Sequence, residues 1–139
     1  MVYSASVSVE VPVYDTEVEE NVLKAVENVF PQSESKVEET DVEVPGRPDR
    51  RVVAETHSVE RLKELIHRQD INRTTRDTLE GSIVGTVLQF KIKKQPATVG
   101  RLNFDVGGHE LGSIDVHIES SDPEGLIEYL TGESGGDSE

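Results

Sequence analysis

Between residues 3 and 14, apolar and polar side chains alternate without a break. Ala5, Val7, Val9, Val11 and Val13 share one side of an extended chain; Ser4, Ser6, Ser8, Glu10 and Pro12 share the other. A helix would scatter both sets around its circumference, whereas a strand gathers each onto a face. The chain must therefore build a sheet with one wet side and cover its dry side with something apolar. Pro12 donates no ladder hydrogen bond, so this strand ends at an edge or beside a bulge.

The two-residue period returns later. Residues 83–93 read as one strand, with Thr86, Leu88, Phe90 and Ile92 inward and Val87, Gln89, Lys91 and Lys93 outward. Residues 99–106 read as another, with Leu102, Phe104 and Val106 inward and Arg101, Asn103 and Asp105 outward. After a turn at Gly107-Gly108, residues 111–119 place Ile114, Val116 and Ile118 inward. Weaker strands at 36–44 and 51–56 flank the turn Pro45–Asp49. Helical spacing marks residues 16–30, opened by a Thr16/Glu19 capping box and stopped by Pro31. It also marks 58–68 with Ser58 as N-cap, and 72–80 capped by Asn72 and closed at Gly81. Ser121-Asp122-Pro123 opens a last helix through about Thr131.

Consecutive strands exclude a simple βαβ repeat. The order predicts an α+β fold, an antiparallel or mixed β-sheet with helices packed on one face. At 139 residues the chain has the length of one domain, read here as 1–131 with a flexible acidic tail at 132–139. Apolar residues make up 34%, a thin supply for a core, but the patterning above uses it well. The absence of Cys removes disulfides, thiolate metal sites and a cysteine nucleophile. No run reaches the ~18 apolar residues of a membrane span, and the first residues do not read as a secretory signal. The expectation is a soluble cytoplasmic protein.

With 28 acidic and 14 basic residues the net charge is -14, which by itself argues against nucleic acid. The charge is unevenly placed. Residues 1–60 carry net -9, residues 61–101 net +5, and residues 102–139, with no Lys or Arg, net -10. Carboxylates spread over patterned elements are the style of a protein from a halophile, where salt screens their repulsion. The basic island holds Arg68, Arg73 and Arg76 around two helices, Lys91 and Lys93 on an outward strand face, Lys94 at its end and Arg101 beyond. Such a patch can track phosphates. The competing structural reading pairs it with Glu10, Asp115 and Glu119 on the same polar face. Phe30, Phe90 and Phe104 all fall on apolar faces, so RNA recognition would rest on phosphates and shape, not on base stacking.

Catalytic patterns are missing. His57, His67, His109 and His117 are dispersed, and His109-Glu110-Leu111-Gly112-Ser113 lacks the second His of a zinc-protease helix. No phosphate-cradling glycine loop, calcium loop or nucleophile–base pair is present. The expectation is a non-enzyme without metal or cofactor.

Four blocks, in order, resemble one family. They are VPVYDTE with VLKAVENVFP, LKELIHRQDINRTTRDTL, FKIKKQPATVGRLNF, and ELGSIDVHIE. Together they are similar to the archaeal uncharacterised protein family 0201 over about residues 5–131. The resemblance implies a ribosomal-protein-like two-layer α+β sandwich and an RNA-binding role, with no catalytic residues. It matches Lys93-Lys94-Gln95 to the family's Lys-Gln block, which adds Gln95 to the candidates. The chain departs from the family pattern at Pro96 and at His109-Glu110. RNA is thus the expected partner. The alternative is a protein-interaction or homodimerisation module that uses the polar sheet face or an edge strand.

Overall fold

The computed structural model describes residues 5–14, 17–31, 33–39, 50–106 and 112–132. In chain order it contains β1 (Ser6–Val13), α1 (Glu19–Val29), β2 (Glu34–Glu39), β3 (Arg50–Thr56), α2 (Glu60–Arg68) and α3 (Asn72–Glu80). These are followed by β4 (Ile83–Val84), β5 (Val87–Ile92), α4 (Lys94–Thr98), β6 (Ile114–Glu119) and α5 (Pro123–Thr131). The strands form one sheet in the order β2-β3-β1-β6-β5-β4, every pairing antiparallel.

The alternation that opens the chain puts β1 at the sheet's centre. Its register sets Val9 between Ala54 of β3 and Val116 of β6. Across β5 and β6, Leu88 faces Ile118, Phe90 faces Val116 and Ile92 faces Ile114. On the inner face apolar residues thus meet apolar residues, and a slip of one residue would turn the whole set to water. Helices cover this face with Val22, Val26 and Val29 of α1, Leu62, Leu65 and Ile66 of α2, Leu79 of α3, and Leu126, Ile127 and Leu130 of α5, all buried. The result is the expected two-layer sandwich. Its far sheet face stays polar, with Ser6, Ser8 and Glu10 exposed.

Several sequence expectations are corrected in detail. The stretch 83–93 is two strands, because Gly85 at φ +63° turns the chain back and β4 folds onto β5. Thr86, expected inward, is exposed in that turn. The expected strand 99–106 shrinks to one bridge, Ile92 with Phe104. Val106 points to solvent at 68% exposure while Asp105, expected outward, is buried. The short helix α4 was not foreseen. Helices α1, α2 and α3 begin after Val18, Val59 and Ile71; Asn72 lies inside α3 and is not an N-cap, while Ser58, one residue before the cap position of α2, accepts the Glu60 N–H at 3.4 Å. Thr16, the Pro45–Asp49 turn, Gly107-Gly108, His109-Glu110 and the tail 133–139 lie outside the described residues.

Helix α5 meets its expectation at the start and shows a less obvious device at its end. Asp122 Oδ1 accepts the Gly125 N–H at 3.0 Å and Pro123 occupies the first turn. The last turn carries no basic residue of its own. Its carbonyls are met from α2 and α3: His67 Nε2 lies 3.1 Å from Leu130 O, and Asn72 Nδ2 donates to Thr131 O at 3.1 Å. Arg76 adds a donor to Thr131 Oγ1 at 3.2 Å and an ion pair to Glu128 at 2.8 Å, bringing positive charge to the negative end of the helix dipole.

Two predictions arise from this layer. Thr75 is fully buried in α3, and its hydroxyl has no hydrogen-bond partner among the described residues. Thr75→Val removes an unpaired polar atom at nearly constant shape and is expected to raise unfolding free energy by about 1 kcal/mol in urea titrations. Between α2 and α5, the Tyr129 hydroxyl donates to Glu60 while Lys63 lies 4.1 Å above the ring. The Glu60 carboxylate first, then burial, pushes the phenol up from 10.0 to about 12. A raised pKa in the fold means the contribution is complete below pH 10 and is lost as pH climbs to about 12. Thermal melts of wild type and Tyr129→Phe should therefore differ by a constant amount below pH 10 and converge by about pH 12.

Candidate nucleic-acid interface

The eight candidate residues separate into those the fold uses and those it leaves free. Lys94 departs furthest from the expected surface cation. It opens α4 at 5% exposure, and its Nζ donates to Pro12 O at 2.8 Å and to both Glu17 carboxylate oxygens at 2.9 Å. That satisfies all three ammonium protons. Glu17 Oε1 also accepts the Tyr14 N–H at 2.9 Å, so the pair fastens the β1–α1 connection to α4. Beyond Glu10, where β6 pairing ends, Lys94 takes the Pro12 carbonyl in place of a strand neighbour. At the other end of α4, Asn28 of α1 donates to the Ala97 and Thr98 carbonyls at 2.9 and 3.1 Å. Gln95 is exposed and lies along α1 beside Val18 and Asn21. Arg76 is engaged at the end of α5, as described above.

The remaining five lie on segments joined by backbone and Gln69 contacts. Lys91 lies on the outward face of β5, and Lys93 follows at its end. Segment 103–105 runs beside them, with Lys93 N donating to Asn103 O at 2.8 Å and Asp105 N to Lys91 O at 2.9 Å. Arg101, exposed, precedes Leu102, whose backbone is gripped on both sides by the Gln69 amide: Leu102 N donates to Oε1 at 2.7 Å and Nε2 donates to Leu102 O at 2.9 Å. Gln69 sits in the α2–α3 turn, directly after Arg68, and Arg73 lies in the first turn of α3. A rim of cations thus runs from β5, through the segment that Gln69 holds, to the helix layer.

Charge on this rim is mostly uncompensated. Among the described residues Lys91, Lys93, Arg73 and Arg101 make no ion pair, although Lys91 stands opposite Asp115 in the ladder. Arg68 pairs with Glu64 at 2.7 Å, one turn away, but both side chains are more than half exposed, and such a pair is weak enough to exchange for a phosphate. Two further cations make no ion pair among the described residues: Lys24, flanked on α1 by Glu20 and Glu27, and Lys63, which lies 4.1 Å over the Tyr129 ring. Acids also stand near these cations: Asp70, which makes the α2–α3 turn at φ 56°, Asp77 one turn after Arg73 on α3, and Asp115 opposite Lys91. Sequence reading missed Gln69, Asp70 and Asn103. None has a periodic signal, and their role is to position neighbours.

The open sheet face is electrostatically different. Glu10, Glu34, Glu38, Glu55, Asp115 and Glu119 outnumber Lys36, Arg51 and Lys91 there. Glu10 faces Asp115 and Glu34 faces Glu55 directly across strands, like-charge pairs that disfavour the sheet at low salt. Arg51 is absorbed by Glu38 at 3.0 Å and Glu10 at 3.3 Å. Arg51 first, then Lys36, holds the Glu38 carboxyl below its ordinary value. Among the described residues no group of His, Asp and Glu could hold a metal ion, and no helix is long and apolar enough to cross a membrane.

Comparison with known proteins gives consistent matches. A family model described as RNA binding matches residues 6–120. A UPF0201 protein of Methanothermobacter thermautotrophicus is 37% identical over 125 residues, covering 89% of each chain. One from Sulfurisphaera tokodaii is 33% identical over 128 residues, covering 88% of this chain and 84% of the relative. The crystal structure of a UPF0201 protein from Methanococcus jannaschii superposes with a TM-score of 0.80 at 32% identity, covering 91% of this chain and 98% of that one.

Proposed function

The chain belongs to the archaeal UPF0201 family, and from that membership we propose that it is an RNA-binding module whose contact surface is the rim of Lys91, Lys93, Arg101, Arg73 and Arg68. The observation that carries the reading is the set of unpaired cations. In a chain with two acids for every base, a cation without a carboxylate partner needs a reason, and four of the six such cations among the described residues, Lys91, Lys93, Arg101 and Arg73, belong to this rim. An unpaired guanidinium or ammonium presented to solvent is what a phosphate backbone requires. The acidic remainder of the surface limits the footprint and repels RNA elsewhere, which orients the encounter.

Dimerisation through an edge strand has less support. The exposed edge at β2 carries Glu34, Lys36, Glu38 and Glu39, the kind of charges that discourage strand addition. The carboxylate-rich surface also fits the halophile expectation, in which salt screens the cross-strand repulsion on the open face.

The test is filter binding of a total archaeal RNA pool at about 0.15 M salt, where the Debye length is ~8 Å and the rim acts locally. Lys93→Gln with Arg101→Gln should weaken binding by roughly 30-fold or more, taking about 1–2 kcal/mol for each lost charge-assisted contact. Asp70→Asn, which keeps a residue tolerant of positive φ and removes the acid of the α2–α3 turn, should strengthen binding several-fold. Unchanged affinity in both variants would remove the rim from the account.

A further inference from the structure

We infer that the RNA this rim accepts is double-helical, bound through the phosphates of its two strands. The inference rests on the RNA-binding reading above and concerns which class of RNA is bound. Modules that grip single strands stack bases on exposed aromatic rings, commonly on an open sheet. The chain has no Trp, three Phe and three Tyr. Phe30 and Phe90 are buried, and Phe104 packs edge-on against Phe90 with centroids 5.7 Å apart. The Tyr14 ring lies under the Lys94 ammonium at 5.5 Å, inside the Glu17 clamp. The Tyr129 ring is covered by Lys63 at 4.1 Å and its hydroxyl is bonded to Glu60. Every ring among the described residues is therefore occupied, and Tyr3 lies outside them.

The sheet face closes the same option by charge. A single strand laid there would bring its phosphates against a cleft walled by Glu10, Glu38, Glu55 and Asp115. What the protein offers instead are cations on both layers: Lys91 on the outward face of β5 where it borders segment 103–105, Lys93 at the end of β5, Arg101 at the junction, Arg73 on α3. Cations on two layers without a stacking surface between them match two phosphate rows flanking a groove. In a double helix the bases are already stacked on one another and need no protein ring.

Fluorescence anisotropy with a labelled 20-base-pair RNA duplex and with each of its strands alone, at about 0.15 M salt, separates the cases. The expected result is duplex binding at least about tenfold tighter than either strand, with the preference reduced in Lys93→Gln/Arg101→Gln. A strand bound as tightly as the duplex overturns this inference and leaves RNA binding standing. Absence of binding to all three probes at every salt overturns both.

Discussion

Glu17→Ala is expected to lower unfolding free energy by about 3–5 kcal/mol, read from guanidinium titrations at fixed salt. The loss comes from the partner left behind. With Glu17 gone, the Lys94 ammonium, its side chain 6% exposed, keeps only the Pro12 carbonyl, and water has little access to replace two charge-assisted bonds. The Tyr14 N–H loses its acceptor as well. Lys94→Met is expected to cost less, about 1–3 kcal/mol, because Glu17 is 23% exposed and retains water and the Tyr14 N–H. The order of the two variants is the sharper test, since a simple surface ion pair would lose under ~1 kcal/mol on either side.

Gly112→Ala is expected to be nearly as damaging, at about 2–5 kcal/mol. The backbone there has φ +76°, costing a side chain roughly 1–2 kcal/mol. An added Cβ would stand 2.8 Å from Tyr14 Cε2 and 3.1 Å from Lys94 Nζ, which forces the clamp apart at a further ~1–3 kcal/mol. Gly85 is the control. Its φ of +63° carries the same backbone penalty, but no atom lies within 4 Å of the added carbon, so Gly85→Ala should cost only about 1–2 kcal/mol. Equal losses at the two glycines, measured in the same titration, would show that the clamp does not crowd residue 112.

The layer architecture was legible because its elements repeat a period long enough to read. β1 and β6 keep strict alternation, and α5 carries Asp122 and Pro123 at its start. Legibility fails where one residue changes the conformation without breaking the pattern. Gly85 turns the chain inside an alternation that continues on both sides of it. Helix α4 spans five residues, too few to display a helical period, and begins with a lysine that is buried against its type. The family resemblance and the charge count singled out the basic island within the sequence. They could not tell which cations the fold would engage, because the deciding partners are remote: Glu17 lies 77 residues from Lys94, and Thr131 lies 55 residues from Arg76. The rim itself depends on Gln69 reaching 33 residues along the chain to Leu102, a contact with no sequence signature.

The central claim is that the unpaired rim cations meet RNA phosphates, and salt dependence measures that directly. Each phosphate neutralised on a duplex contributes about -0.9 to the slope of log K against log salt. Four free cations therefore predict a slope near -3 to -4 for the wild-type protein. Titrating duplex RNA binding from about 0.15 M upward, where screening confines the field to the rim, should give that value. Lys93→Gln with Arg101→Gln should flatten it by about 2. A double-variant slope equal to that of wild type, with affinity retained, would contradict the account and place the RNA contact elsewhere on the protein.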